Sequence, residues 1–353
     1  MLATLTGIDP ETSGRPTVEG AELAAAEANA SGGVTIDGVA HRVTLVIKDD
    51  GARPDSATAA TRALINLDHV DALVGPQIST MAIPASVVAE AAEIPMISPM
   101  SSAAATTEGK RYVFRLAFLD SLQGEVVARF AVDVMKARRA AVLFDIAVAY
   151  SEGLAAQFKE SFEARGGRVV AYESFTTDAG ESFTEQAGRI QAASPDILYL
   201  PNDTAFVAAQ LRDLKAAGVE APILGTDGWD PRAVAKIPES DGAFVSHQWH
   251  PDLDLPETRS FVARYQETYD KMPKSTAAMT YDAIRLVLSA AAARGKAPDA
   301  LRRGLLAIKD YRGATGVISF DGANDPRRSV VINRLTQGRV ELYVRIDPSL
   351  PSR

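Results

Sequence analysis

Two hydrophobic periods alternate along this chain. Short β-branched runs suit buried strands, and alanine-rich stretches with apolar residues three and four apart suit helices. The first run predicts a strand over 2–5, followed by a polar loop through Thr6-Gly7-Ile8-Asp9-Pro10-Glu11-Thr12-Ser13-Gly14. A helix is expected over 17–30, closed by Asn29-Ala30-Ser31-Gly32-Gly33 in the manner of a glycine C-cap. Then come a strand over 41–48, a turn at Asp49-Asp50-Gly51 and a helix over 55–67. A strand over 71–75, a helix over 80–92 and a strand over 94–98 complete the first series.

A strand-like run over 112–116 leads to a crossing segment over 118–124 and a helix over 125–136. A second alternating series follows, with strands over 140–145, 168–173, 196–200, 222–224 and 243–246. Its helices are expected over 151–165, 183–193, 204–217 and 231–235. Beyond Trp249 the pattern is helical, over 257–270, 276–292 and 298–307, before strands over 317–320, 329–335 and 341–346. Alternating strands and helices of this kind predict an α/β chain with doubly wound parallel sheets. Two such series of similar size predict two lobes, repeated in architecture and not visibly in sequence. The strandless helical stretch must pack on an existing sheet, with the first lobe as its host.

In a parallel strand–helix–strand unit, the turns after successive strands emerge on one sheet edge. Ser79 stands where an N-cap belongs, ahead of an Ala/Val-rich helix, and Pro99-Met100-Ser101-Ser102 forms the turn after the next strand. A helix N-terminus presents unpaired N–H groups and the positive end of a macrodipole. Together these make a candidate cradle for a carboxylate. The competing reading is that they are ordinary capping and turn serines.

Composition narrows the function. At 353 residues two domains are expected, and 46% apolar with 23% charged residues is an ordinary globular mix. A formal net charge of −8 disfavours nucleic acid or an anionic membrane as partner. The densest basic groups, Lys136/Arg138/Arg139 and Arg327/Arg328, are short and expected to be solvated. No cysteine is present, so thiol nucleophiles and thiolate metal sites are excluded. No run has the length of a membrane span. The first residues lack a basic n-region and a long apolar core, so no signal peptide is visible. The sequence has no GxSxG elbow, Walker A or GxGxxG after its first strand, so no catalytic residue is assigned. His247-Gln-Trp-His250-Pro-Asp252-Leu-Asp254 gathers ligand-type residues, yet Pro251 argues for an extended crossing-segment surface and against a metal site. No cofactor and no metal is expected.

The motifs then carry a family likeness over nearly the whole chain. They are Leu5-Thr6-Gly7 with Glu19-Gly20-Ala21-Glu22-Leu23-Ala24, Asp49-Asp50 with Pro54, Val74-Gly75-Pro76 with Ser79, and Ile94-Pro95-Met96-Ile97-Ser98-Pro99. Phe114-Arg115, Asp120-Ser121-Leu122-Gln123-Gly124, Tyr150-Ser151-Glu152-Gly153, Gly225-Thr226-Asp227-Gly228 and Thr280-Tyr281-Asp282-Ala283 follow in order. This sequence resembles the type I periplasmic solute-binding proteins of ABC transporters, in their branched-chain amino acid (Leu/Ile/Val) branch. The resemblance implies two Rossmann-like lobes joined by three crossing segments, near 119–121, 246–249 and 320–328, with a ligand bound between them. The lobes would be 1–119 with 249–325, and 120–248 with 326–353.

By the same resemblance, Ser79 and the Met100–Ser102 turn, with the hydroxyl of Ser102, hold a ligand carboxylate. Asp227 falls on the ammonium-binding acid, and Tyr150 and Tyr281 on binding-site aromatics. The residues add their own argument. Asp227 stands at the C-terminal edge of a strand beside Trp229, a pairing suited to an ammonium, although an Asp there can equally cap the helix at Pro231. Tyr150 is placed to lid the ligand or to pack on its helix, and Tyr281 to reach the cleft or the core. Where close relatives of that family place tyrosines, this chain has Pro201-Asn202-Asp203-Thr204. Asp203 is expected to cap the next helix; facing the cleft, it would favour a polar or cationic ligand side chain. Thr12 and Ser13 are further candidate contacts. The expectation is an extracytoplasmic, monomeric receptor for an α-amino acid, which closes on its ligand and serves an ABC permease, with a leader required for that location. The alternative is a sensory protein of the same fold that recognises an amide or carboxylate.

Overall fold

In the first unit the runs over 2–5, 71–75, 94–98 and 112–116 are shorter as strands than as sequence patterns, because only the part that finds a neighbour forms a ladder. The computed structural model describes residues 1–7, 10–176 and 182–347, with the backbone alone at Thr12. The loop residue Asp9 and the last residues of the second lobe's tail lie outside the described residues. The chain divides into two compact units, Met1–Leu119 with Pro251–Arg328, and Asp120–His250 with Ser329–Arg353.

The first segment contributes β1 (Leu2–Ala3), α1 (Arg15–Ala30), β2 (Val34–Ile36), β3 (Val39–His41) and β4 (Lys48–Asp49). It continues with α2 (Pro54–Asn66), β5 (Leu73–Val74), α3 (Ser79–Ala91), β6 (Met96–Ser98) and β7 (Val113–Arg115). The second segment holds α4 (Asp120–Arg129), β8 (Arg139–Asp145), α5 (Ala149–Ala164), β9 (Arg168–Phe175) and α6 (Thr184–Ala193). It goes on through β10 (Ile197–Leu200), α7 (Thr204–Ala216), β11 (Ile223–Gly225), α8 (Pro231–Val234) and β12 (Phe244–His247). The third adds α9 (Pro256–Tyr269), α10 (Ser275–Arg294), α11 (Pro298–Leu306), β13 (Tyr311–Gly313) and β14 (Gly316–Ile318). The last holds β15 (Val330–Thr336) and β16 (Arg339–Ile346).

In the first unit β1 pairs β4 and β5-β6-β7 form a ladder, all parallel. Gly75 draws the two pieces together: a Cβ there would lie 2.2 Å from the Leu2 carbonyl oxygen, and its φ of 90° is in the glycine-favouring region. Leu2, Leu64, Leu73, Ala82, Ala85, Ala89, Met96 and Val113 share one apolar core beneath both. The small alanines let α3 lie close on the strands. α1 packs on the helical third segment through polar pins: Glu19 accepts from Lys271 at 2.7 Å and from the Tyr265 hydroxyl.

The strand expected over 41–48 is absent as one element. Its start closes the hairpin β2–β3 and its end joins β4. The reason is a side chain from α1: Asn29 takes both backbone groups of Val43, accepting its N–H at 2.8 Å and donating to its carbonyl at 2.9 Å, so Val43 needs no strand neighbour. The chain passes from the first unit to the second between Leu119 and Asp120, within the expected crossing over 118–124, but the helix expected from 125 starts earlier. Asp120 already starts α4, its acid favourably placed in the first turn, and a π-helical turn at Phe130–Val134 continues it. Arg328, expected in solvent, is 3% exposed. Its guanidinium donates to the Leu116 carbonyl at 2.8 Å and approaches the Thr315 carbonyl at 3.4 Å, and burial pulls its pKa down to about 10.

The second unit carries one seven-stranded sheet, β16-β15-β12-β11-β10-β8-β9. The strands from β9 to β12 are parallel, and β15 and β16 close one side as antiparallel partners. The chain goes outward from β8 to β9, then returns to the other side at β10. That reversal between β8 and β10 is the topological switch point, where an open α/β sheet leaves a crevice at its C-terminal edge.

Replacement of Gly75 by alanine forces a Cβ onto the Leu2 carbonyl and an L-residue into positive φ. Gly75→Ala is expected to cost roughly 2–5 kcal/mol, read as a lower urea midpoint by circular dichroism. An unchanged midpoint would refute the close approach.

Candidate functional site

In the first unit, the turn after β5 and the turn after β6 meet through their hydroxyls. Ser79 is one residue inside α3 and Ile78 holds the N-cap position, with no side-chain cap bond, so the expected capping role for Ser79 is corrected. Its Oγ instead lies 2.8 Å from Ser101 Oγ and accepts weakly from the Ala103 N–H at 3.4 Å. Ser101 Oγ in turn lies 2.7 Å from Thr106 Oγ1. Ser98, at the end of β6, donates to the Pro76 carbonyl at 2.6 Å and fixes the two turns side by side. Ser102, 8% exposed, makes no hydrogen bond among the described residues, and Met100 precedes it in the same turn. Hydroxyls beside the first N–H groups of α3 form a neutral donor array for an anion.

Sequence reasoning missed what holds that turn. Arg115, wholly buried in β7, donates to the Ser101 carbonyl at 3.1 Å and the Ala104 carbonyl at 3.2 Å, and pairs with Asp325 at 2.5 Å. A lone arginine in an apolar strand was the available signal, since a charge is buried there only when it is paired. Tyr281 is not brought to this array. Its phenol donates to Glu27 at 2.6 Å and accepts from Arg264 at 3.0 Å and Arg285 at 3.1 Å, pinning α10 to α1 and α9. Ser13 gives its carbonyl to the Thr17 hydroxyl at 2.8 Å. The Thr12 side chain lies outside the described residues.

In the second unit, the residues gather at the C-terminal edge of β8, β10 and β11. Asp227 follows β11. It does not cap α8, because Asp230 does so, accepting from the Arg232 N–H at 3.0 Å and the Ala233 N–H at 3.3 Å. The Asp227 carboxylate receives the Tyr150 O–H at 2.8 Å on one oxygen and a Gln248 N–H at 2.8 Å on the other. Both donors are neutral, and among the described residues no cation pairs with it. Tyr150 sits in the first turn of α5, half-buried, and also accepts the Gly228 N–H at 3.0 Å. Burial, then the charge of Asp227, push its phenol well above the ordinary value, so it stays a proton donor. Gln248 had no signal in the sequence, because its partner is set by the fold.

Asn202 is 1% exposed and its amide is fully engaged. It accepts from the Asp145 N–H at 3.1 Å and the Ser151 hydroxyl at 2.9 Å, and donates to the Leu143 carbonyl at 2.8 Å and to Gln210 at 3.2 Å. All four amide positions are used, so Asn202 clamps β8 to β10 and has no capacity left for a ligand. Trp229 is 1% exposed within the apolar cluster of this unit, its indole stacked on Gly225, where a Cβ would lie 2.6 Å from the ring. The indole therefore faces the core, and the expected cation–π role beside Asp227 is corrected. Asp203 holds the N-cap position of α7, yet its side chain makes no cap hydrogen bond. The expected capping is thus absent. Desolvation, then the charges of Asp145 and Asp227, raise its pKa.

His247 and His250 are buried, at 9% and 6% exposure, so the expected crossing-segment surface is corrected to an interior one. Burial lowers the His247 pKa, which favours the neutral ring. Among the described residues no group of His, Asp and Glu could hold a metal ion. Among them, too, no helix is long and apolar enough to cross a membrane.

A family model described as "Periplasmic binding protein" matches residues 1–338. An amino acid binding protein of Pseudomonas aeruginosa is 31% identical over 210 residues, 59% of this chain and 54% of that protein. The matched stretch thus spans about half the length of that curated relative. Among solved structures, the leucine-binding protein LivK of Thermotoga maritima is 27% identical with a TM-score of 0.85, covering 98% of this chain and 97% of that one. LivJ of Streptococcus pneumoniae, in complex with isoleucine, is 26% identical with a TM-score of 0.82, covering 97% of each.

Because the folded state raises the Asp203 pKa, its charged form costs stability above the ordinary carboxylate range, and that cost vanishes once it is protonated. Asp203→Asn is expected to melt higher than the parent at pH 7.5, with the difference fading as the pH falls toward about 4. A difference independent of pH, measured by calorimetry, would contradict the raised pKa of Asp203.

Proposed function

We propose that this chain, which belongs to the periplasmic binding protein family, is an extracytoplasmic receptor that binds an α-amino acid for an ABC importer. One observation carries the reading. The half-buried Asp227 carboxylate is held by two neutral donors, Tyr150 and Gln248, at the C-terminal edge of a parallel sheet. An ionised carboxylate offers about four lone-pair positions, and two donors leave room for an ammonium. A charge-assisted hydrogen bond from that ammonium would complete the shell.

The hydroxyl array of Ser79, Ser101 and Ser102 supports the other half of a zwitterion. It supplies neutral donors and a helix N-terminus to a carboxylate, and no acid is interposed among the hydrogen bonds that build it. In the proposed mechanism the first unit takes the carboxylate and the second brings Asp227 and Tyr150 to the amine. Contacts completed only on closing shift the open–closed balance, and the closed form is read by the permease. The relatives support the class of ligand: the P. aeruginosa protein is named for amino acids, and LivJ is seen with isoleucine.

Isothermal titration of common L-amino acids, together with analogues of the best binder lacking either the amine or the carboxylate, tests this. Loss of one partner of a desolvated charge pair costs about 3 kcal/mol or more, a factor of ~100. Both analogues, and the best binder on Asp227→Ala, are expected to weaken at least that much. Retained affinity for the amine-free analogue would remove Asp227 from the site.

A further inference from the structure

The turn after β5 carries a buried side chain that the hydroxyl array does not use. Gln77, two residues before Ser79, is 2% exposed, and its amide reaches α10 of the same unit. Its Nε2 lies 3.0 Å from Thr280 Oγ1. Thr280 donates its one hydroxyl proton to the Thr276 carbonyl at 2.7 Å, so toward Gln77 it can only accept. That fixes which way round the amide sits. Nε2 is the donor, and the carbonyl oxygen Oε1 is buried with no donor among the described residues.

A second polar atom on α10 is in the same condition. Thr276 stands one helical turn before Thr280, so the two share a face of the helix. The Thr276 hydroxyl is enclosed and likewise has no partner among the described residues. The backbone of the turn relates this pair to the hydroxyl array. Ile78 is extended, with φ −93° and ψ 137°, so the side chains of Gln77 and Ser79 leave the chain on the same side. Ser98 fixes that turn through the Pro76 carbonyl at 2.6 Å. An acceptor and a hydroxyl are thus enclosed and unsatisfied within two residues' reach of Ser79. Buried polar groups in this state are unfavourable, and a complementary group completes them.

We propose that the amino acid bound here has a neutral side chain that donates a hydrogen bond, a hydroxyl or a carboxamide, with Gln77 as its specificity-determining residue and Thr276 as the second partner. This rests on the amino-acid reading above and names the ligand class within it. Oε1 needs a donor, which neither an aliphatic nor a carboxylate side chain supplies. The hydrogen bonds that build the pair include no acid, so a cationic side chain gains no counter-charge there. A site built to hydrogen-bond its ligand rejects the isostere that cannot, because its buried polar groups are then left unpaired.

Titration calorimetry of the common L-amino acids on the whole chain tests the proposal through near-isosteric pairs: serine with alanine, threonine with valine, asparagine with leucine, glutamine with methionine. In at least one pair the polar member is expected to bind ten-fold or more tightly than its apolar counterpart. Gln77→Leu and Thr276→Val are each expected to pull that ratio toward one, whereas loss of a purely structural clamp would weaken both members equally. Thr276→Val leaves the Gln77–Thr280 bond in place and decides the matter if Gln77→Leu does not fold. If no pair reaches ten-fold, or if the ratio is unchanged in the deciding variant, the inference is overturned while the amino-acid reading stands. If none of the common L-amino acids binds, both fall.

Discussion

The second unit is arranged around a carboxylate that, among the described residues, is held by neutral donors. Asp227 is held by a phenol and a carboxamide, which orient it without neutralising it. A salt bridge at this place would have satisfied the charge within the fold. Neutral donors do the opposite: they fix the geometry and keep the field. The raised pKa of Tyr150 belongs to the same arrangement, since an ionised phenol would repel the acid it now serves.

Both units hold their turns in place with buried polar residues. Asn202 engages every position of its amide to join β8 to β10, so the two strands that flank the switch point cannot drift apart without breaking buried bonds. Arg115 does the equivalent in the first unit, where its guanidinium gathers the carbonyls of the turn that carries Ser101 and Ser102. Neither residue presents itself to solvent. Both are positioning residues, and substitutions there would be expected to change geometry and stability together.

The first unit builds its array from hydroxyls, the second from carboxylates and phenols. Neutral donors at a helix start favour an anion, and a carboxylate favours a cation. Both arrays lie in turns after parallel strands, where side chains leave the core and backbone groups lose their ladder partners.

Much of this was legible in the chain. Alternating periods gave the order of strands and helices, and helices such as Pro54–Asn66 and Thr204–Ala216 fall within a residue or so of the pattern, because helix periodicity and end signals are local properties. The motif series gave the family. The serine turn and Asp227 could be singled out because a turn after a strand and an acid at a strand end are visible in one dimension. What stayed hidden depended on partners far away in sequence. Asn29 dissolving the strand around Val43, Tyr281 turned toward Glu27, Trp229 turned into the core over Gly225, and Gln248 gripping Asp227 all follow from which side chains the fold brings together. Residue type and spacing determine which groups are available and on which element they sit. Only tertiary packing decides which of them find one another and which, like the Asp203 side chain at the start of α7, make no cap hydrogen bond.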